Sequence, residues 1–258
     1  MLLAIDVGNT QTVLGVYEGE RLLHMWRVAT NKAHTADELR LKVLPLLESE
    51  GIGPERVRGS VLASVVPSLT GAWSRALALL FSAEPLLCTA EAARGLFDIA
   101  YDNPAEIGAD RVADAVAALH RYGAPVVVVD FGTATNLEVI DKDGCFLGGV
   151  IAPGLETSAA ALFSHATKLA ATELVDPHTA IGRNTVQALQ AGIVYGEVDR
   201  VDGLVNRIFD QLGYRCPVVA TGGLSARVGA LSKTVTDVDP DLTLEGLRLV
   251  FAAWDRRV

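Results

Sequence analysis

Val126-Val127-Val128-Val129-Asp130-Phe131-Gly132-Thr133 is the stretch on which the fold turns. Four β-branched residues in a row show neither a helical stripe nor alternating faces, and they fit a strand buried on both sides. The run ends in a carboxylate and a glycine turn, and a charge at the mouth of such a strand is unusual without a partner. Asn136 to Ile140 follows, then a turn at Asp141-Lys142-Asp143-Gly144 and a third run from Phe146 to Ile151. Three short runs joined by tight turns predict an antiparallel meander. A long helix is expected from about Leu155.

The start of the chain repeats this order. Met1 to Asp6 reads as a buried strand ending at Gly8-Asn9-Thr10, Thr12 to Tyr17 as a second strand, and Leu22 to Val28 as a third after the turn Glu18-Gly19-Glu20. Asp6-Val7-Gly8 and Asp130-Phe131-Gly132 thus occupy equivalent places in two meanders, a duplicated topology without high sequence identity. Thr35 and Glu38 have capping-box spacing and predict a helix to about Glu50. A strand over Ser60–Val66, a helix over Leu69–Phe81 and a short strand over Pro85–Thr89 follow. Ala109–Arg121 and Leu244–Trp254 read as helices. Asn184–Gln211 is a long helical region with bends expected at Gly192, Gly196 or Gly203. A late strand, Cys216–Thr221, closes at Gly222-Gly223.

The 258 residues are half hydrophobic and 21% charged, enough for a large core without disulfides or metals. A net charge of −9 disfavours a broad nucleic-acid surface. Cys88, Cys145 and Cys216 are odd in number and far apart, which fits a reduced cytoplasm rather than a disulfide framework. Asp6 interrupts the first apolar run too early for a signal peptide, and no stretch reaches the roughly 20 apolar residues of a membrane span. His24, His34, His120, His165 and His178 have no metal-ligand spacing, and no Ser-His-Asp or Cys-His set is present.

The chemistry lies in the glycine turns. A strand ending in Asp and turning through Gly presents backbone N–H groups to phosphate oxygens, while its carboxylate can hold Mg²⁺. One such turn is short enough to be an ordinary hairpin. Two at matching points, with Thr221-Gly222-Gly223 as a third, suggest phosphate loops from two lobes. Gly108-Ala109-Asp110-Arg111 opens a helix, where N–H groups and the dipole favour anions. By itself that tetrapeptide also fits a helix-start charge beside a surface arginine.

Together these motifs resemble those of the actin, Hsp70 and sugar-kinase superfamily, in which two ribonuclease-H-like lobes clamp ATP. Asp6-Val7-Gly8-Asn9-Thr10, Gly108-Ala109-Asp110-Arg111, Asp130-Phe131-Gly132-Thr133-Ala134, Gly148-Gly149 through Pro153-Gly154, and Ile181-Gly182-Arg183-Asn184-Thr185 stand in the order seen in type III pantothenate kinases. The resemblance covers nearly the whole chain. It implies an α/β fold of two duplicated ribonuclease-H-like lobes with an ATP cleft between them. The lobes are taken as residues 1–107 and 108–258, with the first helix of the second able to pack across the boundary. It implies phosphorylation of pantothenate by ATP, the first step towards coenzyme A. Asp6, Val7, Gly8, Asn9, Thr10, Gln11, Thr12, Val13 and Thr133 are then the ATP contacts, and Mg²⁺ accompanies the nucleotide. Asp110 is the general base, and Arg111 pairs with the pantothenate carboxylate. Tyr101, Gly108, Ala109 and Thr185 also contact pantothenate. Asp130 binds a monovalent cation, K⁺ or NH₄⁺, and the enzyme is a homodimer. Tyr101 also reads as a packed turn aromatic. Thr185 also reads as a helix cap, a role Asn184 can take instead.

The chain departs from the family in one place. After Thr135, where relatives commonly have Thr, a variable residue and Asp, it carries Asn136, Leu137 and Glu138. Two other readings remain open: a non-catalytic regulator that kept the ATP-clamp fold, and a kinase of another small hydroxy acid.

Overall fold

The computed structural model describes residues 1–166 and 169–256, which form two compact units. Met1–His120 and the chain from Leu242 onward make the first, and Arg121–Asp241 the second. The boundary read from the sequence, 107/108, assigns the Ala109–Tyr122 helix and the last helix to the second lobe.

In the first unit, β1 (Leu2–Val7), β2 (Gln11–Glu18) and β3 (Arg21–Ala29) form the expected meander. Then come α1 (Ala36–Ser49), β4 (Gly59–Ser64), α2 (Pro67–Phe81), β5 (Leu86–Leu87), the short β6 (Asp98–Ile99) and α3 (Ala109–Tyr122). Thr35 caps α1 with the full capping box: its hydroxyl accepts from the Glu38 amide, and the Glu38 carboxylate accepts from the Thr35 amide at 2.8 Å. The sheet order is β3-β2-β1-β4-β5, with β4 parallel to β1. Leu3, Ile5 and Val7 of β1 meet Leu39, Val43 and Leu47 of α1 and Leu69, Trp73 and Leu77 of α2.

The second unit repeats the plan. β7 (Val126–Phe131), β8 (Ala134–Ile140) and β9 (Cys145–Pro153) form a meander followed by α4 (Leu155–His165). The region read as one long helix is α5 (Thr185–Gln190), a π-helical turn (Ala191–Tyr195) and α6 (Gly196–Leu212), so the irregular turn contains Gly192 and ends at Gly196. β10 (Val218–Thr221), α7 (Ser225–Gly229) and β11 (Asp237–Val238) complete it, with sheet order β11-β10-β7-β8-β9. Val127, Val129 and Phe131 pack with Leu137, Val198, Val201 and Val205.

The last element, α8 (Leu242–Asp255), lies against β1, β4 and β2 of the first sheet. Gly15 leaves room for Leu244, and Gly59 for the Phe251 ring. α3 joins α8 there, since the Thr243 hydroxyl donates to buried Asp114 at 2.7 Å. α8 therefore belongs to the first unit because its sheet supplies the apolar face it covers, and α3 up to His120 joins that unit through its contact with α8. Among the described residues no helix is long and apolar enough to cross a membrane.

One polar anchor in the second unit yields a stability test. Buried Asp202 on α6 accepts from the Ser232 and Thr234 hydroxyls at 2.5 and 2.7 Å and from the Lys233 and Thr234 amides. Desolvation pushes its carboxyl up, but these hydrogen bonds together outweigh it and hold the group below its usual value. The stability so gained is present above about pH 4 and fades as pH falls through the folded-state value. Asp202→Asn is expected to cost about 2–3 kcal/mol at pH 7 in urea unfolding, with the gap to wild type narrowing below pH 4.

Candidate active site

The first Asp-Gly turn joins β1 to β2. Asp6 is half-buried at the end of β1, opposite Val13, and the Gly8 amide donates to the Gln11 carbonyl at 3.0 Å to close the turn. Asn9, Thr10 and Gln11 stand exposed at its tip, while Val7 and Thr12 are buried beneath. Thr30 braces the hairpin: its amide donates to the Thr10 carbonyl at 2.9 Å, and its hydroxyl lies 2.8 Å from that of Thr12. Eight of the nine expected ATP contacts, Asp6 to Val13, are thus one contiguous hairpin.

Gly108-Ala109-Asp110-Arg111 opens α3, as the sequence predicts. The Asp110 carboxylate folds back to accept from the Arg111 amide at 2.8 Å. A Cβ on Gly108 would sit 2.5 Å from that Asp110 oxygen, so the glycine is what lets the carboxylate take this position. Asp110 keeps partial solvent access but is crowded by protein. Loss of hydration is the main effect and pushes its carboxyl up, against the opposing pull of the Arg111 amide and guanidinium. Arg111 is buried, with its guanidinium 6.0 Å from the centre of the Tyr101 ring. Tyr101 and Arg111, ten residues apart, therefore meet.

Cys88, to which the sequence assigned no part, joins these pieces. It is buried just beyond β5, and its thiol donates to the Ala109 carbonyl at 3.5 Å. Burial pushes the thiol pKa up, and Asp110, Asp6 and Asp114 each add to the shift. The thiol thus lies against the start of α3, within the field of Asp6 at the end of β1. A lone cysteine in a run such as Leu86-Leu87-Cys88 carries no signal of this.

In the second unit Asp130 is half-buried at the matching place on β7, paired with Asn136 of β8 and Thr221 of β10. The three side chains share one row of the sheet. Asn136 Oδ1 and Thr221 Oγ1 are buried without a hydrogen-bond partner among the described residues. Glu138 is fully buried one inward-facing position further from the strand mouth. The row therefore offers oxygen donors beside a carboxylate, the set a hard cation takes. Gly222 adopts φ +89°, and a Cβ there would collide with Asp130 and the Phe131 backbone. Thr133 is exposed at the tip of its turn, and its carbonyl accepts from the Gly154 amide at 3.0 Å and the Thr157 hydroxyl at 2.6 Å.

Thr185 lies on a separate element, exposed at the head of α5, where Asn184 provides the cap through a 3.0 Å bond from the Gln187 amide. It lines an open hollow of about 480 Å³ with Gly182, Arg183 and Ala188. Most apolar residues of the region below it are absorbed by its own core, with Val198, Val201 and Val205 buried, while Val186 and Ile181 remain exposed. Among the described residues no cluster of three or more His, Cys, Asp or Glu side chains suits a metal ion.

A family model described as type III pantothenate kinase matches residues 2–207. The chain belongs to the type III pantothenate kinase family. The family's enzyme from Roseiflexus sp. (strain RS-1) is 47% identical over 252 residues, covering 97% of this chain and 98% of the relative. The one from Myxococcus xanthus (strain DK1622) is 48% identical over 251 residues, with the same coverage. Among solved structures, the ROK hexokinase from Thermus thermophilus aligns over 100% of this chain and 99% of its own, with TM-score 0.53 and 15% identity. That likeness speaks to the fold, two sheets built on one plan.

For this type III pantothenate kinase chain the raised Asp110 value has a measurable consequence. The folded state holds the Asp110 proton more tightly than the unfolded chain does. Stability is therefore lost as pH rises from the ordinary value, about 3.9, through the higher folded-state value. Asp110→Asn, which keeps the acceptor for the Arg111 amide, is expected to be at least as stable as wild type at pH 7. Its advantage should vanish below about pH 4 in thermal unfolding. A clear loss of stability at pH 7 would show that the ionised carboxylate is favoured by folding.

Proposed function

We propose that this chain transfers the γ-phosphoryl group of ATP to pantothenate, giving ADP and 4′-phosphopantothenate, the first step towards coenzyme A. The observation that carries the reading is the start of α3: Asp110 and buried Arg111 stand there side by side, in a chain nearly half identical to type III pantothenate kinases along its length. In the proposed step the substrate hydroxyl oxygen attacks the γ-phosphorus. The bond to the β-bridging oxygen breaks, ADP leaves with the electron pair, and Asp110 takes the hydroxyl proton. A carboxyl raised by desolvation is a better proton acceptor than an ordinary one. Arg111, its guanidinium over the Tyr101 ring, is assigned to the pantothenate carboxylate, which a guanidinium matches with two parallel hydrogen bonds. Gly108 and Ala109 give the helix-start backbone on the same side, and Thr185 a further substrate contact.

The hairpin from Asp6 to Val13, with Thr133 of the second turn, is assigned to the ATP phosphates. Asp6 is assigned to the accompanying Mg²⁺, which keeps most of its ligands as water and phosphate oxygens and so needs only one or two carboxylates. Asp130, flanked by the unpartnered oxygens of Asn136 and Thr221, is assigned to K⁺ or NH₄⁺, whose charge would offset that of the phosphates. Three free thiols suit a reducing compartment such as the cytoplasm. A homodimer is supported by Val186 and Ile181, exposed beside Thr185.

ADP release coupled to a reporter, measured with and without pantothenate, tests the reading: turnover should require pantothenate and be stimulated by K⁺ or NH₄⁺. Asp110→Asn should fold and lose about 10²–10⁴-fold in turnover, the usual scale of a general base. Asp130→Ala should lower the rate and blunt the response to K⁺. Full activity with Na⁺ alone would remove the monovalent-cation assignment. Light scattering after size exclusion should give a mass of about twice 27.3 kDa, and a stable active monomer would exclude the dimer.

A further inference from the structure

We propose that Glu197 is a positioning residue that sets the turn carrying Thr133. The inference rests on the reading of Thr133 as a phosphate contact. Glu197, in the first turn of α6, is 3% exposed. One of its carboxylate oxygens accepts from the buried Thr135 hydroxyl at 2.5 Å, and the other pairs with Arg200. The same Arg200 nitrogen donates to the Pro153 carbonyl at 2.5 Å. Pro153 lies opposite Ala134 in the β8–β9 ladder, and Gly154 next to it holds the Thr133 carbonyl. Thr135, two residues after Thr133, and Pro153, beside the Gly154 that holds the Thr133 carbonyl, are therefore tied, directly or through one arginine, to a single carboxylate.

Packing alone does not account for this group. Its neighbours Val198, Val201 and Val205 face an apolar core, and an apolar side chain of similar size would avoid the desolvation of a buried carboxylate. The π-helical turn over Ala191–Tyr195 explains how the carboxylate reaches Thr135. One residue inserted into an α-helix rotates everything after it by about 100°. Without the insertion Glu197 would point elsewhere on the helix. The same turn is fastened from the other side, since Tyr195 donates to Asp176 at 2.7 Å and Gln190, just before it, donates to the Glu173 carbonyl at 2.8 Å. The direction of Glu197 is thus fixed by structure on two sides of the turn.

A device of this kind acts on the nucleotide side of the reaction. With the full-length protein, Glu197→Gln removes the charge at nearly constant volume, Thr135→Val removes the hydroxyl at constant shape, and Thr135→Ser restores it. Glu197→Gln and Thr135→Val are each expected to raise the KM for ATP about ten- to a hundred-fold, the scale of one hydrogen bond to a charged group. The KM for pantothenate should change less than two-fold, and Thr135→Ser should stay near wild type. The double variant should be no worse than the worse single one, since both act through one bond. Calorimetric ATP affinity, read without turnover, should move in parallel. An unchanged ATP KM in folded variants, equal rises in both KM values, or additive effects would overturn the proposal. If Glu197→Gln does not fold, the contrast of Thr135→Val with Thr135→Ser decides the matter. A wild-type protein that binds ATP but ignores pantothenate would sink the pantothenate reading and leave the ATP-affinity comparison to judge Glu197. One that binds no ATP would sink both.

Discussion

A strand buried on both faces carries a charge at least cost at its mouth, and the molecule is organised around that constraint twice. β1 and β7 each lie between an antiparallel neighbour and a parallel one, so neither has a face or an edge turned to water. Their first polar position is the same in both, Asp6 and Asp130, half-buried where the ladder stops. Burying either carboxylate one pair deeper would cost several kcal/mol without a partner. Everything assigned to phosphates and ions gathers at these strand ends because the chain can be polar there and still keep its core.

The polar groups assigned to catalysis also carry a shared thermodynamic burden. Asp110 is held where water is scarce, and its ionised form is penalised for that. Asn136 and Thr221 leave oxygens unsatisfied beside Asp130. Each is a small local cost of the sort that ordinary packing would remove. Asp202 shows the contrast: it has hydrogen-bond donors on several sides, stabilises its own loop, and stands in no motif.

Much of this was legible in the chain. The β-branched run at 126–129, the two meanders and the Thr35 capping box are local patterns, and local hydrogen bonds realise them. Asn184, rather than Thr185, caps α5, the alternative that the sequence left open. Other features depend on partners distant in sequence. The amphipathic pattern of α8 shows that it has an apolar face but not which sheet receives it. Nothing around Cys88 marks it as a partner of the start of α3. The two-residue strands β6 and β11 are too short for alternation to register, and β11 exists because β10 lies beside it. In the Asn184–Gln211 region the glycines signalled an irregularity, but the sequence did not say that it would be a π-helical turn over Ala191–Tyr195, containing Gly192 and ending at Gly196.

The return of α8 to the first sheet sets an order in time. During synthesis the ribosome releases β1 to α3 first, yet the face of β1 and β4 that Leu244 and Phe251 cover stays bare until the final helix has been made. The second unit is continuous in the chain, from Arg121 to Asp241, and has all its own elements by then. The part of the molecule translated first is therefore the last to be completed. Until then its exposed valines and leucines are the stretch a chaperone would be needed to shield.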